Sequence, residues 1–147
     1  GAHVIIGERK GHTPREGRVS FEQALKTADI ISVHCPLTEE TRDQIAAHEL
    51  NMMKPSAILI NTARGGIINE ADLASALANN VIAGAGVDVL SKEPAEADNP
   101  LARYTGDNLL LTPHIAWASK ESIIRLVKEI ALNIKAFNQG NERNRLV

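Results

Sequence analysis

Short apolar runs alternate with amphipathic stretches along the whole chain. Five apolar runs, each bounded by glycine, proline or polar residues, resemble buried strands in length and composition: His3–Gly7, Ile30–Cys35, Ala57–Ile60, Gly84–Val89 and Leu109–Leu111. Between these runs, apolar residues recur at the spacing of one helix face. This alternation of strands and helices predicts an α/β fold in which helices cover both faces of a parallel sheet.

Residues suited to helix capping mark where several of the predicted helices begin. Ser20, Asn69 and Ser119 each precede an amphipathic stretch, and their side chains can accept a hydrogen bond from the first free backbone amides of a helix. A shorter helix is predicted at His48–Met53. The apolar residues of the last helix, which we predict to face a core, are Ile123, Leu126, Val127, Ile130, Ala131, Ile134 and Phe137.

Composition narrows the classes of partner. The chain has 147 residues, is 44% hydrophobic and carries a net charge of −2, so no strong attraction to nucleic acid or to a membrane surface is expected. No apolar run has the length of a membrane span. A single cysteine, Cys35, excludes an internal disulfide and fits a reducing compartment, so we expect a cytoplasmic protein. We interpret Cys35 as a packed strand residue rather than a reactive thiol.

Arg64 follows the third apolar run, within the stretch Asn61–Gly66. In open α/β sheets, ligands bind beyond the carboxyl ends of the strands, so its guanidinium is placed to hold a carboxylate through two hydrogen bonds. Gly65 and Gly66 allow positive φ angles and close approach of the backbone. The alternative is a surface arginine in an ordinary turn, and this stretch by itself does not decide between the two.

Other polar side chains follow the remaining runs and are predicted to reach the same edge of the sheet: Glu8, His34, Asp88, Glu93 and His114. A carboxylate beside an imidazole fixes the tautomer of the ring and stabilises its protonated form. Glu93 and His114 can therefore form a pair that protonates a carbonyl oxygen or deprotonates a hydroxyl. The alternative is a structural glutamate with an unrelated loop histidine.

Glu8 has a second possible role. An acidic residue at the end of such a strand can accept both ribose hydroxyls of an adenine nucleotide and can repel a 2′-phosphate, which favours NAD over NADP. Arg9 and Lys10 follow directly and could accommodate a 2′-phosphate instead. No metal site is predicted.

These motifs, in their order and spacing, resemble the signatures of the D-2-hydroxyacid dehydrogenases across nearly the whole chain. The stretches that carry the resemblance are Asn61–Gly66, Gly84–Val89 with Glu93-Pro94, Thr112–His114, and His34–Thr38 with Thr41. Glu8-Arg9-Lys10 and Ile115–Ser119 are most similar to the glycerate dehydrogenase (hydroxypyruvate reductase) branch.

The resemblance implies a site for NAD and a small 2-oxo acid. It implies that Arg64 binds and polarises the substrate, that His114 is the acid/base assisted by Glu93, and that Trp117 lines the substrate side. Asp88 would hold the nicotinamide carboxamide. The residues predicted to bind the cofactor are Glu8, His34, Cys35, Pro36, Thr41, Thr62, Ala63, Arg64, Asp88 and His114. The implied reaction is reversible reduction of hydroxypyruvate or glyoxylate to D-glycerate or glycolate by a homodimer. The alternative from another class is a corepressor that uses the same fold to sense the nucleotide.

The expected fold is a Rossmann-type doubly wound parallel sheet that is incomplete. The chain begins at Gly1, and the first strand and glycine-rich loop, which should lie about 20 residues before Glu8, are missing. We expect residues 1–119 to be a partial NAD-binding domain and residues 120–147 a helix and tail that return to a missing catalytic domain. The strand order 3-2-1-4-5-6 predicts a gap, with His3–Gly7 and Ile30–Cys35 on one side, and no stable monomer from the fragment alone.

Overall fold

The computed structural model describes residues 1–146; Val147, the end of the predicted tail, lies outside them. The chain forms two compact units, Gly1–His114 and Ile115–Val147. Whether the functional boundary lies between residues 119 and 120 stays a prediction. The helices and strands are α1 Phe21–Thr27, β1 Ile30–Val33, α2 Ala47–Met52, β2 Ile58–Asn61, α3 Glu70–Ala78, β3 Gly84–Val87, β4 Leu109–Leu111 and α4 Lys120–Asn138.

The first unit is built on a parallel sheet of four strands in the order β1-β2-β3-β4. The register places Ile31, Leu59, Ala85 and Leu109 in one row across all four strands. Each crossover passes from the carboxyl end of one strand to the start of its neighbour, so the loops after the strands share one edge of the sheet. This confirms the predicted α/β, Rossmann-like architecture.

The sheet is buried on one face only, which corrects the prediction of burial on both. Val33, Leu59 and Val87 are at most 7% exposed and belong to a core to which α1, α2 and α3 also contribute. On the opposite face, Ile30 and Ile58 are 61% and 42% exposed. The apolar runs predicted burial on both faces because their composition shows which strands can be buried. Composition does not show which faces of the sheet the helices of this unit cover.

The first segment and the strand order also differ from the sequence prediction. His3–Gly7 is not a strand: it makes one isolated parallel bridge, Gly7 to Val19, in which Val19 N donates to Ile6 O at 3.0 Å. β1 pairs with β2 and not with that segment, so placing Ile30–Cys35 beside His3–Gly7 was wrong. The residue that bridges to that segment is Val19, just before α1.

The predicted caps are confirmed where the structure shows their hydrogen bonds. Ser20 Oγ accepts from Gln23 N at 3.0 Å, Asn69 Oδ1 from Asp72 N at 3.0 Å, and Ser119 Oγ from Ser122 N at 3.2 Å. Each bond satisfies an amide that the first turn of a helix leaves without a partner. These caps fix where α1, α3 and α4 begin.

The second unit is one long helix with flanking residues. None of the residues of α4 is buried, and the residues predicted to face a core, from Ile123 to Phe137, include side chains 41% to 83% exposed. That prediction was wrong because residues 115–146, the described part of this unit, contain no other helix or strand for α4 to pack on. Among residues 1–146, no helix combines the length and the apolar character that a membrane crossing requires.

Candidate active site

Asn61, at the end of β2, shapes the loop that carries Arg64. The Asn61 side chain is buried: its Nδ2 donates to Arg64 O at 2.9 Å, and its Oδ1 accepts from Ala63 N at 3.0 Å. These two bonds satisfy the buried amide and fold the loop back on the strand end. Arg64 itself is exposed, with Nη1 donating to Ala63 O at 2.7 Å. Asn61 was not among the predicted site residues.

Gly65 brings the Arg64 loop against the loop that follows β3. A Cβ on Gly65 would lie 1.9 Å from Leu90 O and 2.4 Å from Ser91 N, which no side chain tolerates. Gly66 adopts a φ of 81°, in the left-handed region that favours glycine. The predicted close approach of the backbone is therefore found at Gly65, and the predicted positive φ is found at Gly66.

His114 and Glu93 form the predicted pair. His114 Nδ1 and Glu93 Oε2 are 2.7 Å apart, and Glu93 Oε1 accepts from Leu90 N at 3.0 Å. The hydrogen bond from His114, followed by that from the Leu90 amide, lowers the pKa of Glu93. A carboxylate on Nδ1 fixes the tautomer and makes Nε2 the nitrogen that exchanges a proton with a substrate.

The backbone of His114 is held in a costly conformation. Its φ is 55°, and its amide donates to Asp88 O at 2.8 Å and to Thr112 O at 3.1 Å. Asp88 is 4% exposed and its Oδ1 accepts from Thr112 Oγ1 at 2.5 Å. A positive φ at a non-glycine residue persists only where its surroundings impose it, and such residues cluster at functional sites. The ends of β3 and β4 thus fix where the imidazole lies.

Glu70, in the first turn of α3, holds the loop that precedes Glu93. Its carboxylate accepts from Ser91 N at 2.5 Å, from Ser91 Oγ at 3.1 Å and from Asn99 Nδ2 at 2.6 Å. Asn99 is 8% exposed and in turn caps the following turn. Glu70 was not among the predicted site residues, because the helix dipole alone explains an acidic residue at a helix start. Its partners lie 21 and 29 positions away in the sequence.

The Glu8 carboxylate is buried, and both of its oxygens accept hydrogen bonds from groups of this chain. Arg15 donates to its carboxylate from Nε and from Nη2, each at 2.7 Å, and the backbone amides of Arg9 and Arg15 donate at 2.9 and 3.3 Å. Arg18 Nη1 lies 3.7 Å from Oε1. The Arg15 hydrogen bonds, and next that of the Arg9 amide, hold the pKa of Glu8 well below its ordinary range. That Glu8 binds ribose stays a prediction.

The segment after β1 contains four of the predicted cofactor residues. His34 is exposed, with Nε2 2.9 Å from Ser32 Oγ. Desolvation raises the pKa of the half-buried Cys35 thiol, which agrees with a packing role. Thr41 Oγ1 donates to the carbonyl oxygen of Pro36 and accepts from Thr38 N, both at 2.7 Å, and so closes the turn.

The loops after β2, β3 and β4 therefore bring Arg64, Asp88, Glu93 and His114 to one edge of the sheet. The donor set there fits the nicotinamide half of NAD, since it combines the buried Asp88 carboxylate, the His114 imidazole and the exposed Arg64 guanidinium. At the Glu8 end, the carboxylate already accepts hydrogen bonds from Arg9 and Arg15. Trp117 is 58% exposed and belongs to the second unit, so its place beside the substrate stays a prediction.

The chain is similar in sequence to known proteins of one family. A family model described as "D-isomer specific 2-hydroxyacid dehydrogenase, NAD binding domain" matches residues 1–116. Glycerate dehydrogenase from Methylorubrum extorquens is 46% identical over 131 residues, covering 89% of this chain and 42% of that protein. Hydroxypyruvate reductase from Blautia hydrogenotrophica is 40% identical over 126 residues, covering 86% of this chain and 38% of that protein.

Solved structures agree with the fold. The crystal structure of D-lactate dehydrogenase with NAD+ from Lactobacillus jensenii superposes with a TM-score of 0.77 at 33% identity, covering 88% of this chain and 42% of that one. An acyclic imino acid reductase in complex with NADPH and D-Arg gives a TM-score of 0.75 at 35% identity, covering 97% of this chain and 46% of that one. The chain spans less than half the length of each of these proteins.

Proposed function

The chain belongs to the D-isomer specific 2-hydroxyacid dehydrogenases, as an NAD-binding domain of that oxidoreductase family, and from this premise we propose a function for the full-length protein. It is an NAD-dependent enzyme that reversibly reduces a small 2-oxo acid, hydroxypyruvate or glyoxylate, to D-glycerate or glycolate. The single observation that carries the proposal is the hydrogen-bonded pair of His114 and Glu93 at the carboxyl edge of the sheet.

Arg64 binds the substrate in this proposal. Its guanidinium is exposed beside the strand end and can hold the carboxylate of a 2-oxo acid through two parallel hydrogen bonds. The same charge stabilises the negative charge that develops on the carbonyl oxygen during reduction. The bonds from Asn61 to the loop backbone keep Arg64 at the edge of the sheet.

His114 moves the proton. The imidazolium gives its Nε2 proton to the carbonyl oxygen during reduction, and the neutral ring takes a proton from the hydroxyl in the reverse direction. Glu93 stabilises the imidazolium through Nδ1 and keeps the ring oriented. When bound, NAD supplies the hydride chemistry, and the protein supplies binding, orientation and charge.

The choice of hydroxypyruvate or glyoxylate rests on the relatives. Hydroxypyruvate reductase, at 40% identity, names hydroxypyruvate, and glycerate dehydrogenase, at 46%, names glycerate. A glyoxylate reductase from Aeropyrum pernix is 42% identical to this chain. The named relatives are dehydrogenases and reductases, which gives the corepressor alternative no support. A cytoplasmic homodimer remains part of the proposal for the full-length protein.

The test is NADH consumption by the purified full-length protein with matched carbonyl compounds. Hydroxypyruvate and glyoxylate should be reduced, and glycolaldehyde, which lacks the carboxylate that Arg64 would hold, should be reduced far more slowly. Chiral analysis of the hydroxypyruvate product should give D-glycerate. Equal rates with and without the carboxylate, or an L product, would contradict the proposal.

A further inference from the structure

The segment that carries Glu93 is not held in place by burial. Residues 91–98 are all exposed, and Asn99, which ends the segment, is 8% exposed. An exposed stretch with few buried apolar contacts opens easily unless hydrogen bonds tie it to the core of the domain. The position of Glu93 beside His114 therefore depends on the hydrogen bonds that hold this segment.

One carboxylate binds both ends of the segment. Glu70 Oε1 accepts from Ser91 N at 2.5 Å, while Oε2 accepts from Ser91 Oγ at 3.1 Å and from Asn99 Nδ2 at 2.6 Å. Glu70 is half-buried at the start of α3, and the buried Leu73 and Leu77 anchor that helix in the core. The exposed segment is thus tied at its two ends to a packed helix.

The bond to Ser91 lies next to the proposed acid/base pair. The adjacent amide, that of Leu90, donates to Glu93 Oε1 at 3.0 Å. Glu93 Oε2 is 2.7 Å from His114 Nδ1. We propose that Glu70 is a positioning residue for the proton transfer, because it holds the segment in which Glu93 faces His114. The inference rests on the proposed function, and Glu70 acts through Glu93 rather than on the reacting atoms.

The three partners of Glu70 require a carboxylate, since each of them donates. The Ser91 amide can only donate. The Asn99 side chain is fixed in orientation, because its Oδ1 accepts from Leu101 N and Ala102 N at 3.0 and 3.1 Å, which leaves Nδ2 to face Glu70. Glu70→Gln has almost the same shape but offers one oxygen and sets an NH₂ group against a donor. It should therefore loosen the segment.

The experiment measures hydroxypyruvate reduction by the full-length protein and its Glu70→Gln variant across pH. We expect kcat to fall by up to about 100-fold, the cost that a displacement of about 1 Å can have. The fall in rate with rising pH should begin at lower pH, because the carboxylate that stabilises the proton donor has moved away. The dissociation constant for NADH should stay unchanged. Glu22→Gln, which removes a charge from the first turn of α1, is the matched control.

Two double variants separate positioning from a merely structural role. Asn99→Asp added to Glu70→Gln gives the new amide an acceptor and keeps an oxygen for the Leu101 and Ala102 amides, so it should restore much of kcat and the original pH profile. Glu70→Gln added to Glu93→Gln should lower kcat by no more than about a further twofold, because its effect passes through Glu93.

An unshifted pH profile in Glu70→Gln, or an equal loss of kcat with and without Glu93, would overturn the inference and leave the proposed function standing. If Glu70→Gln does not fold, Ser91→Ala decides: it removes one donor at an exposed position and should shift the profile in the same direction by less, whereas no shift would overturn the inference. A wild-type protein that reduces neither hydroxypyruvate nor glyoxylate would overturn the proposed function and this inference with it.

Discussion

Among the carboxylates that pair with basic side chains in residues 1–146, those of Glu8 and Glu93 are built in opposite ways. The Glu8 side chain is 2% exposed, and Arg15 occupies both of its oxygens. The Glu93 side chain is 39% exposed, and its partner His114 is 42% exposed. The Glu8 carboxylate is shielded from solvent, whereas the Glu93–His114 pair is accessible from solvent.

The partner decides what each pair can do. An arginine keeps its proton at any physiological pH, so the Glu8 pair offers constant charge and no proton to transfer. A histidine changes charge near neutral pH, so a carboxylate beside it can tune a proton transfer. The comparison therefore shows a pair of constant charge at Glu8 and a pair that can exchange a proton on the loops after β3 and β4, where the proposed function places the chemistry.

The largest effect is expected from removing the imidazole. His114→Ala should lower the rate of hydroxypyruvate reduction by about 10²–10⁴-fold, the range for losing a general acid. The dissociation constant for NADH should change little. His48→Ala, at an exposed position of α2, is the matched control. A variant that retains most of its rate would move the chemistry away from this pair.

Replacing Arg64 with lysine should cost less but remain severe. Lysine keeps the charge and loses the planar fork, so we expect a loss of about 3 kcal/mol in transition-state stabilisation, measured as kcat/KM. Arg103→Lys controls for the substitution itself. Near-normal kcat/KM in Arg64→Lys would remove Arg64 from the substrate site.

Gly65→Ala tests whether the two loops must touch. The new Cβ would meet Leu90 O at 1.9 Å, so the loops must separate, at a cost of about 1–3 kcal/mol in the free energy of unfolding. Gly86→Ala is the control, because a Cβ there meets nothing within 4 Å. Urea denaturation of both variants decides it, and equal stability would show that the loop contact is not rigid.

Local signals in the sequence were enough for the caps and for the pair at the site. Ser20 and Asn69 bond to amides three residues away, a geometry that depends only on the start of a helix. His114 and Glu93 could be paired because both follow neighbouring strands of a parallel sheet.

What could not be predicted depends on contacts between distant segments. Nothing local shows that β1 pairs with β2, or that the helices of the first unit leave Ile30 and Ile58 exposed. Arg15 lies in an irregular loop, where no pattern of residues predicts the course of the backbone. Its hydrogen bond to Glu8 could therefore not be predicted.

The most direct test of the account is the pH dependence of hydroxypyruvate reduction by the wild type and Glu93→Gln. The lowered pKa of Glu93 keeps it ionised at neutral pH, where it stabilises the imidazolium that donates the proton. Because reduction consumes a proton, its rate falls as pH rises. In Glu93→Gln the fall should begin at lower pH, since the carboxylate that stabilises the proton donor is gone. Glu96→Gln, in the same loop, should leave the profile in place. Superimposable profiles for the wild type and Glu93→Gln would contradict the claim that this pair performs the proton transfer.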